Sequence, residues 1–417
     1  MDVVYPRCCG LDIHKKLVVA CRIVSGPTGA RKEVRSFGTT TAAIEELASW
    51  LTDGEVTHVA MEATGVYWKP LFNLLEERFT LLLANAQHIK AVPGRTTDVK
   101  DCEWIADLLR HGLLRASFVP DRAQRELREL TRYRTSLVRE RTAEVNRLQK
   151  LLEGANIKLG DVATDVLGRS GRAMLEALAD GETDGVALAA HARGRLKAKR
   201  PALEAALRGS VGAHQRFLLR RQLDHVDYLD AAIQAVSEEI DRRLDELVAP
   251  STPDVPDPRE RLDSVPGVGR RIAEVLIAEI GLDMGQFPSA AHLASWAGLC
   301  PGNHQSAGKR RSGRTRKGSP WLRSALVEAA QAAARTRTYL AAQYRRVAAR
   351  RGHKRAIVAV THTILVIVYH LLRDGGTYRD LGPAYFDRRD RTLLQHRLVA
   401  RLQRLGYSVH LEEALPA

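Results

Sequence analysis

"CCGLDIHKKLVVACRIV", Cys8 to Val24, decides how the first third of the chain reads. Two apolar runs flank the polar His14-Lys15-Lys16, which spells strand, turn, strand. Working outward, "KEVRSF" (Lys32 to Phe37) is a third strand, and "TAAIEELASWL" (Thr41 to Leu51) has helical periodicity. "VTHVAME" ending at Glu62 is a strand, "YWKPLFNLLEER" a helix and "FTLLLAN" a strand. A loop with Pro93 and Gly94 then leads into "DVKDCEWIADLLRHG", a helix closed by Gly112.

Three strands, a helix, then strand, helix, strand, helix is the order of an RNase H-like α/β layered domain, assigned to residues 1–120. From there the texture changes to long, charged, Leu-spaced segments. Leu219, Val226, Ile233, Ile240 and Leu247 repeat every seven residues, with Leu229 and Val236 on the second seam, a coiled-coil signal. Upstream, Leu130, Leu137 and Leu151 share a heptad position that Glu144 interrupts. Two long helices joined through residues 154–214 predict a helical coiled-coil arm over 121–250, able to dimerise. "APSTPDVPDP" then stops any helix with four prolines between Pro250 and Pro258, and marks a boundary. Beyond that boundary the chain reads as mainly α-helical.

A chain of 417 residues has room for roughly two or three domains. Lys and Arg number 64 against 49 Asp and Glu, a formal charge of +15 that points to a polyanionic partner such as nucleic acid. Five cysteines (Cys8, Cys9, Cys21, Cys102 and Cys300) lack CxxC spacing and follow no signal-like start, so a reducing cytosol is expected. The apolar run Ala356 to Leu372 contains His362 and His370, follows a basic cluster, and reads as a buried helix rather than a membrane span.

Two constellations carry chemistry. Asp12 ends the first strand and Glu62 ends the strand expected beside it, while Asp98 and Asp101, at i and i+3, share one face near a helix start. Converging carboxylates are hard oxygen ligands suited to Mg²⁺, and paired ions can clamp the attacking and leaving oxygens of a phosphodiester. Singly, Asp98 and Asp101 equally suit helix capping. Glu103 and Asp107 read as helix surface, Asp107 with the spacing of a substitute ligand.

The second constellation is a basic loop. Met284 to Val327 holds seven Lys/Arg and no acid, six of them at Lys309, Arg310, Arg311, Arg314, Arg316 and Lys317. One-sided charge with interleaved glycines favours phosphate contact. Ser306 stands at its mouth, with Ser312 and Ser319 as rival hydroxyls and His304 as a candidate base. The "VPGVG" turn, with Gly267 and Gly269, is similar to the hairpin of helix-hairpin-helix modules, whose amides hold phosphates.

Together "GLDIHKK", "MEATGVYW", "GRTTDVKDCEWIADLLRHG", "SVPGVG", "ASWAGLCPGNHQSAGKRRSGRTRKG" and "WLRSALVEAA", in order from Gly10 to Ala330, resemble the insertion-sequence transposases with an N-terminal RuvC-like DEDD domain and a C-terminal serine-bearing transposase domain. The resemblance implies a recombinase that excises and inserts its element by Ser306 attack on a phosphodiester, with Mg²⁺ held by Asp12, Glu62, Asp98 and Asp101. It implies a transposase domain at 251–350, followed by a C-terminal helix and basic tail at 351–417, of which Arg373 to Ala417 match no motif. The implied partners are donor and target DNA, a noncoding bridge RNA that pairs with both, and further copies of the chain as a dimer or tetramer. No membrane is implied, and the expected place is the cytoplasm, at the nucleoid. One departure is "SAGK", where many relatives carry a second glycine in place of Ala307. The alternatives are a metal-only RuvC-like nuclease or junction resolvase, in which water attacks, and a non-catalytic nucleic-acid-binding protein.

Overall fold

The computed structural model describes residues 2–26, 29–63, 65–84, 98–248, 256–302, 304–306, 309–389 and 391–412, with side chains except at 98–100, 304–306, 309–312 and 393. Two compact units divide the chain at Arg122 and Ala123.

The first unit is built on one five-stranded sheet of order β3-β2-β1-β4-β5. β1 (Arg7–Ile13), β2 (Val18–Gly26) and β3 (Gly29–Phe37) form an antiparallel meander, while β4 (His58–Glu62) and β5 (Thr80–Ala84) run parallel to β1. This mixed order is compatible with the expected RNase H-like arrangement. Helix α1 (Thr41–Asp53) crosses from β3 to β4 and α2 (Trp68–Leu75) from β4 to β5. Strand alternation sorts the side chains. Cys9, Leu11, Ile13, Val59 and Met61 join α1 and α2 in one core, whereas Cys8, Ala60, Cys21 and Ile23 face the other way. That second face is covered by α3 (Asp98–Arg110), through Cys102, Ile105, Ala106 and Leu109. Gly112, at φ +66°, ends the helix, in keeping with its position just past Arg110.

The second unit begins with α4 (Arg122–Gly154). Four short helices, α5 (Leu159–Val162), α6 (Arg169–Asp180), α7 (Gly185–Ala190) and α8 (Arg200–Ala206), lead to α9 (Ala213–Leu247). The long helices run antiparallel, since Glu126 pairs with Arg243, Arg141 with Asp230 and Glu144 with His225. Leu219, Val226, Leu229, Ile233 and Ile240 are buried, so the heptad seam read in the sequence is filled by the chain's own elements. On α4 the buried stripe is Gln124, Leu127, Thr131, Arg134, Leu137, Glu144, Leu148 and Leu152. Polar residues occupy part of the seam because each has a partner there. Glu144, 7% exposed at its side chain, takes Arg147 at 2.7 Å.

After the prolines come α10 (Pro258–Asp263), α11 (Arg270–Ile280), α12 (Ala290–Trp296), the hairpin of β6 (His304–Ser306) and β7 (Lys309–Ser312), and α13 (Pro320–Ala333). The chain continues through α14 (Tyr339–Arg351), α15 (His353–Asp374), α16 (Tyr385–Arg389) and α17 (Arg391–Arg404). α15 is the apolar run read as a buried helix. It is long and apolar enough to cross a membrane, yet Ile357, Val360, Ile364, Leu365 and Val368 are buried among α12, α13 and α14, and Tyr369 donates its hydroxyl to Phe287 O at 3.1 Å.

Candidate active site

Leu11 pairs with Met61 across β1 and β4, and Asp12 and Glu62 are each the next residue. The two carboxylates therefore stand side by side at the C-terminal edge of parallel strands, on the face opposite Leu11 and Met61. That is the face covered by α3. Tyr5 N–H donates to Arg110 O, Cys8 lies 3.7 Å from Ala106 O, and the Asp12 charge acts on Cys102. Hence α3 runs antiparallel to β1, and its N-terminal turn, carrying Asp98 and Asp101, reaches the end of β1 that bears Asp12.

Gly10 makes this approach possible. A Cβ there would lie 2.4 Å from both Cys102 O and Ala106 N. Only a residue without a side chain lets helix and strand backbones meet so closely. Asp101 is 7% exposed, an uncommon depth for a carboxylate. Asp12, with 13% of its side chain exposed, accepts from or pairs with His14 Nε2 at 3.0 Å. The backbone of Asp98 opens α3, and its side chain lies outside the described residues. Asp107, spaced to substitute for a ligand, pairs instead with Lys32 of β3.

The donor chemistry of this edge suits a hard cation. Burial pushes the Cys8 and Cys102 thiols up to about 11 and Cys21 up to about 12, so none supplies a thiolate at neutral pH. Among the described residues no three His, Cys, Asp or Glu side chains are grouped so as to hold a metal ion. Asp12 and Glu62 end adjacent strands and Asp101 lies in the first turn of α3, while the side chain of Asp98, the fourth carboxylate of the expected set, falls outside that search.

The basic segment, a loop by its sequence, contains a short antiparallel hairpin with Ser306 opposite Lys309, the last pair before a two-residue connection. Ser306 is therefore a tip residue. Side chains of His304, Ser306, Lys309, Arg310, Arg311 and Ser312 lie outside the described residues, while Arg314, Arg316 and Lys317 are exposed. The stem is closely built. Gly302 N–H donates to Arg314 O at 2.9 Å, Pro301 bridges Thr315, and a Cβ on Gly318 would stand 2.2 Å from Ala297 O. Gly298 sits at φ +68°, where a Cβ would come 2.7 Å from Arg316 O and Gly318 N.

Behind the stem lies a network the sequence did not reveal. Glu279 of α11, 1% exposed, accepts Arg132 Nε at 2.7 Å, Arg132 Nη2 at 3.0 Å and the Ser319 hydroxyl at 2.9 Å. Ser319 also caps α13 by accepting Leu322 N–H, so this rival serine is committed to structure. Arg134 meets Glu274 at 2.6 Å, both nearly inaccessible, and together the pairs tie α4 to α11. Their one sequence signal is the spacing of Glu274 and Glu279 within "AEVLIAEI", unremarkable for an amphipathic helix.

Gly267 and Gly269 differ in what they do. Gly267, at φ +89°, packs against α13, where a Cβ would meet Ala329 O at 2.2 Å. Gly269 caps α11, and a Cβ there would meet nothing within 4 Å.

An acidic sheet edge and a separate basic hairpin are the features of a protein that handles phosphodiesters. Family comparison agrees. A transposase family model of the DEDD IS110 type matches residues 9–157, and the Transposase IS116/IS110/IS902 family matches residues 259–345. A probable family 20 transposase of Pseudomonas aeruginosa is 30% identical over 283 residues, 66% of this chain and 71% of that protein. The transposase for insertion sequence element IS1111A of Coxiella burnetii is 27% identical over 305 residues, 71% and 72% of the two chains. A pilin gene-inverting protein of Moraxella bovis is 31% identical over 153 residues, 35% of this chain and 47% of that protein. The chain belongs to the IS110-type transposase family and is a DNA transposase/recombinase.

Proposed function

We propose that the first unit is an RNase H-like (RuvC-like) domain whose Asp12, Glu62, Asp98 and Asp101 hold Mg²⁺, and that Ser306 attacks the DNA phosphodiester during excision and insertion. The observation that carries the reading is the placement of Asp12 and Glu62 side by side, one residue past the Leu11–Met61 pair, on the face reached by the Asp101 turn of α3. When bound, Mg²⁺ would neutralise phosphate charge and stabilise the leaving oxygen. Ser306 loses its proton to a neighbouring base as its Oγ bonds to phosphorus, and the bridging P–O bond breaks with its oxygen leaving protonated. Lys309, Arg310, Arg311, Arg314, Arg316 and Lys317 hold the phosphate, with the Gly269 amide end as a further anchor beside the packed Gly267.

The same reading includes donor and target DNA as substrates, a noncoding bridge RNA that pairs with both, a dimer or tetramer as the working species, and a cytoplasmic, nucleoid-associated setting. Support comes from the net charge of +15 and from the family. The filled heptad seam leaves the outer faces of the arm, rather than its seam, for contacts between copies. The test is plasmid excision by the purified chain with its element ends and flanking RNA. Ser306→Ala and Asp12→Asn each abolish excision on this reading. Loss in Asp12→Asn with full activity in Ser306→Ala would instead select the metal-only nuclease.

A further inference from the structure

The hairpin that carries Ser306 joins the second unit by two limbs. The outgoing limb starts after α12, at Gly298, and the returning limb comes back through Arg314 and Thr315 to Gly318, which is packed against Ala297 O. The next residue is Ser319, and its hydroxyl has two partners. It accepts Leu322 N–H at 3.3 Å, capping α13, and donates to Glu279 Oε2 at 2.9 Å. A hydroxyl has one proton to give, so with the proton on Glu279 and a lone pair on Leu322 the side chain is fixed in both senses.

Glu279 is held from behind. It is 1% exposed, and Arg132 of α4 engages both its oxygens, Nε on Oε1 at 2.7 Å and Nη2 on Oε2 at 3.0 Å. Such a fork sets the plane of the carboxylate and therefore the direction in which Oε2 meets Ser319. One turn earlier on α4, Arg128 donates to Ala278 O at 2.9 Å and to Glu279 O, which holds the backbone there as well. Farther along the same face, Arg139 lies over the Trp321 ring at 5.1 Å and reaches Ser324 Oγ at 3.4 Å. Three arginines at i, i+4 and i+11 of one helix thus grip the residues on which the returning limb ends. An apolar contact would hold α4 against α11 without stripping two ions of their water, but it could not orient a hydroxyl.

We infer that Glu279, set by Arg132, is a positioning residue: through the Ser319 hydroxyl it fixes where the returning limb ends, and so how Ser306 is presented to the phosphodiester. Neither Glu279 nor Ser319 touches DNA in this role. The inference rests on Ser306 being the nucleophile.

The test uses the full chain with element-end DNA and flanking RNA, and reads three quantities: the excision rate at saturating DNA, the Kd for DNA in EDTA, and hydrogen exchange at the Gly302 amide, which is bonded to Arg314 O across the stem. S319N and S319D introduce isosteric groups that cap α13 alike, but only the amide has a proton for Glu279. S319N keeps most of the wild-type rate and the slow exchange at Gly302. S319D loses on the order of 100-fold in rate, as a displacement near 1 Å does, and exchanges faster at Gly302, while both variants bind DNA as the wild type does. Circular dichroism checks folding; should S319D not fold, S319A and S319T are compared in the same way, threonine keeping the proton. Equal rates in the donor and non-donor variants, equal exchange at Gly302, or a loss carried by Kd in place of rate would overturn the inference. S306A, run in parallel, separates the two claims. An inert S306A beside equal rates in S319N and S319D removes the positioning role alone, whereas full excision by S306A removes the nucleophile and the inference with it.

Discussion

Replacing Gly10 by alanine should disable the acidic edge without touching an acid. The added Cβ would stand 2.4 Å from two backbone atoms of α3, Cys102 O and Ala106 N, where ordinary contact begins at 3.4 Å. Neither atom can turn aside as a side chain would, so α3 must retreat by about 1 Å or β1 must bend. Overpacking of this kind costs about 1–3 kcal/mol. For a unit of this size, 2 kcal/mol corresponds to a fall in Tm of roughly 6–12 °C. On the proposed assignment the larger effect falls on chemistry, because the retreating helix carries Asp98 and Asp101 away from Asp12 and Glu62. A displacement near 1 Å at a reacting centre costs on the order of 100-fold in rate. Calorimetry and plasmid excision, with Gly26→Ala as the control, measure both; a Cβ at Gly26 meets nothing closer than 3.8 Å. If Gly10→Ala melts and excises like the control, the close approach of α3 to β1 is not what places these carboxylates.

Gly318→Ala should disturb the Ser306 hairpin in the same way, since its Cβ would fall 2.2 Å from Ala297 O; limited proteolysis should cut the variant within residues 299–318 where the wild type resists. Glu279→Gln removes a buried charge beneath the partly exposed Arg132 and should cost about 1–3 kcal/mol in the second unit, read as a lower urea midpoint. The buried thiols give the first unit a pH dependence. Their folded pKa values near 11 to 12 exceed the ordinary 9.0, so the stability they contribute is intact below pH 9 and is lost as pH rises through 11. Iodoacetamide at pH 8 should accordingly modify half-exposed Cys300 and spare Cys8, Cys9, Cys21 and Cys102, as mass spectrometry will read.

The first unit was legible because its strands are short, apolar and bounded by turn residues, and because Asp12 and Glu62 each end one. Which neighbour each strand takes followed from the meander and from the crossover helices. The role of Gly10 was not legible, since a glycine in a strand announces close approach only once its neighbour is known. In the arm the seam of α9 could be read, but that of α4 could not. Thr131, Arg134 and Glu144 hold buried positions that hydrophobic periodicity assigns to apolar residues; Arg134 pairs with Glu274 and Glu144 with His225, 140 and 81 positions away. Ser306 showed the opposite limit. Its basic surroundings were plain, yet the "KRRS" strand has no apolar alternation, so the segment reads as loop although its backbone pairs as a hairpin. Glu279 and the structural role of Ser319 were invisible for the same reason as Arg134: a buried polar network is a tertiary fact.

The most direct test of the central claim is to trap the reaction and find the atom joined to DNA. The purified chain is incubated with Mg²⁺, a donor strand and RNA transcribed from the flanks of its element, denatured, digested, and analysed by mass spectrometry. A phosphodiester adduct on the peptide containing Ser306, absent in Ser306→Ala and in Asp101→Asn, is the predicted result. Recombined DNA formed with no adduct, or with the adduct on another residue, would contradict it.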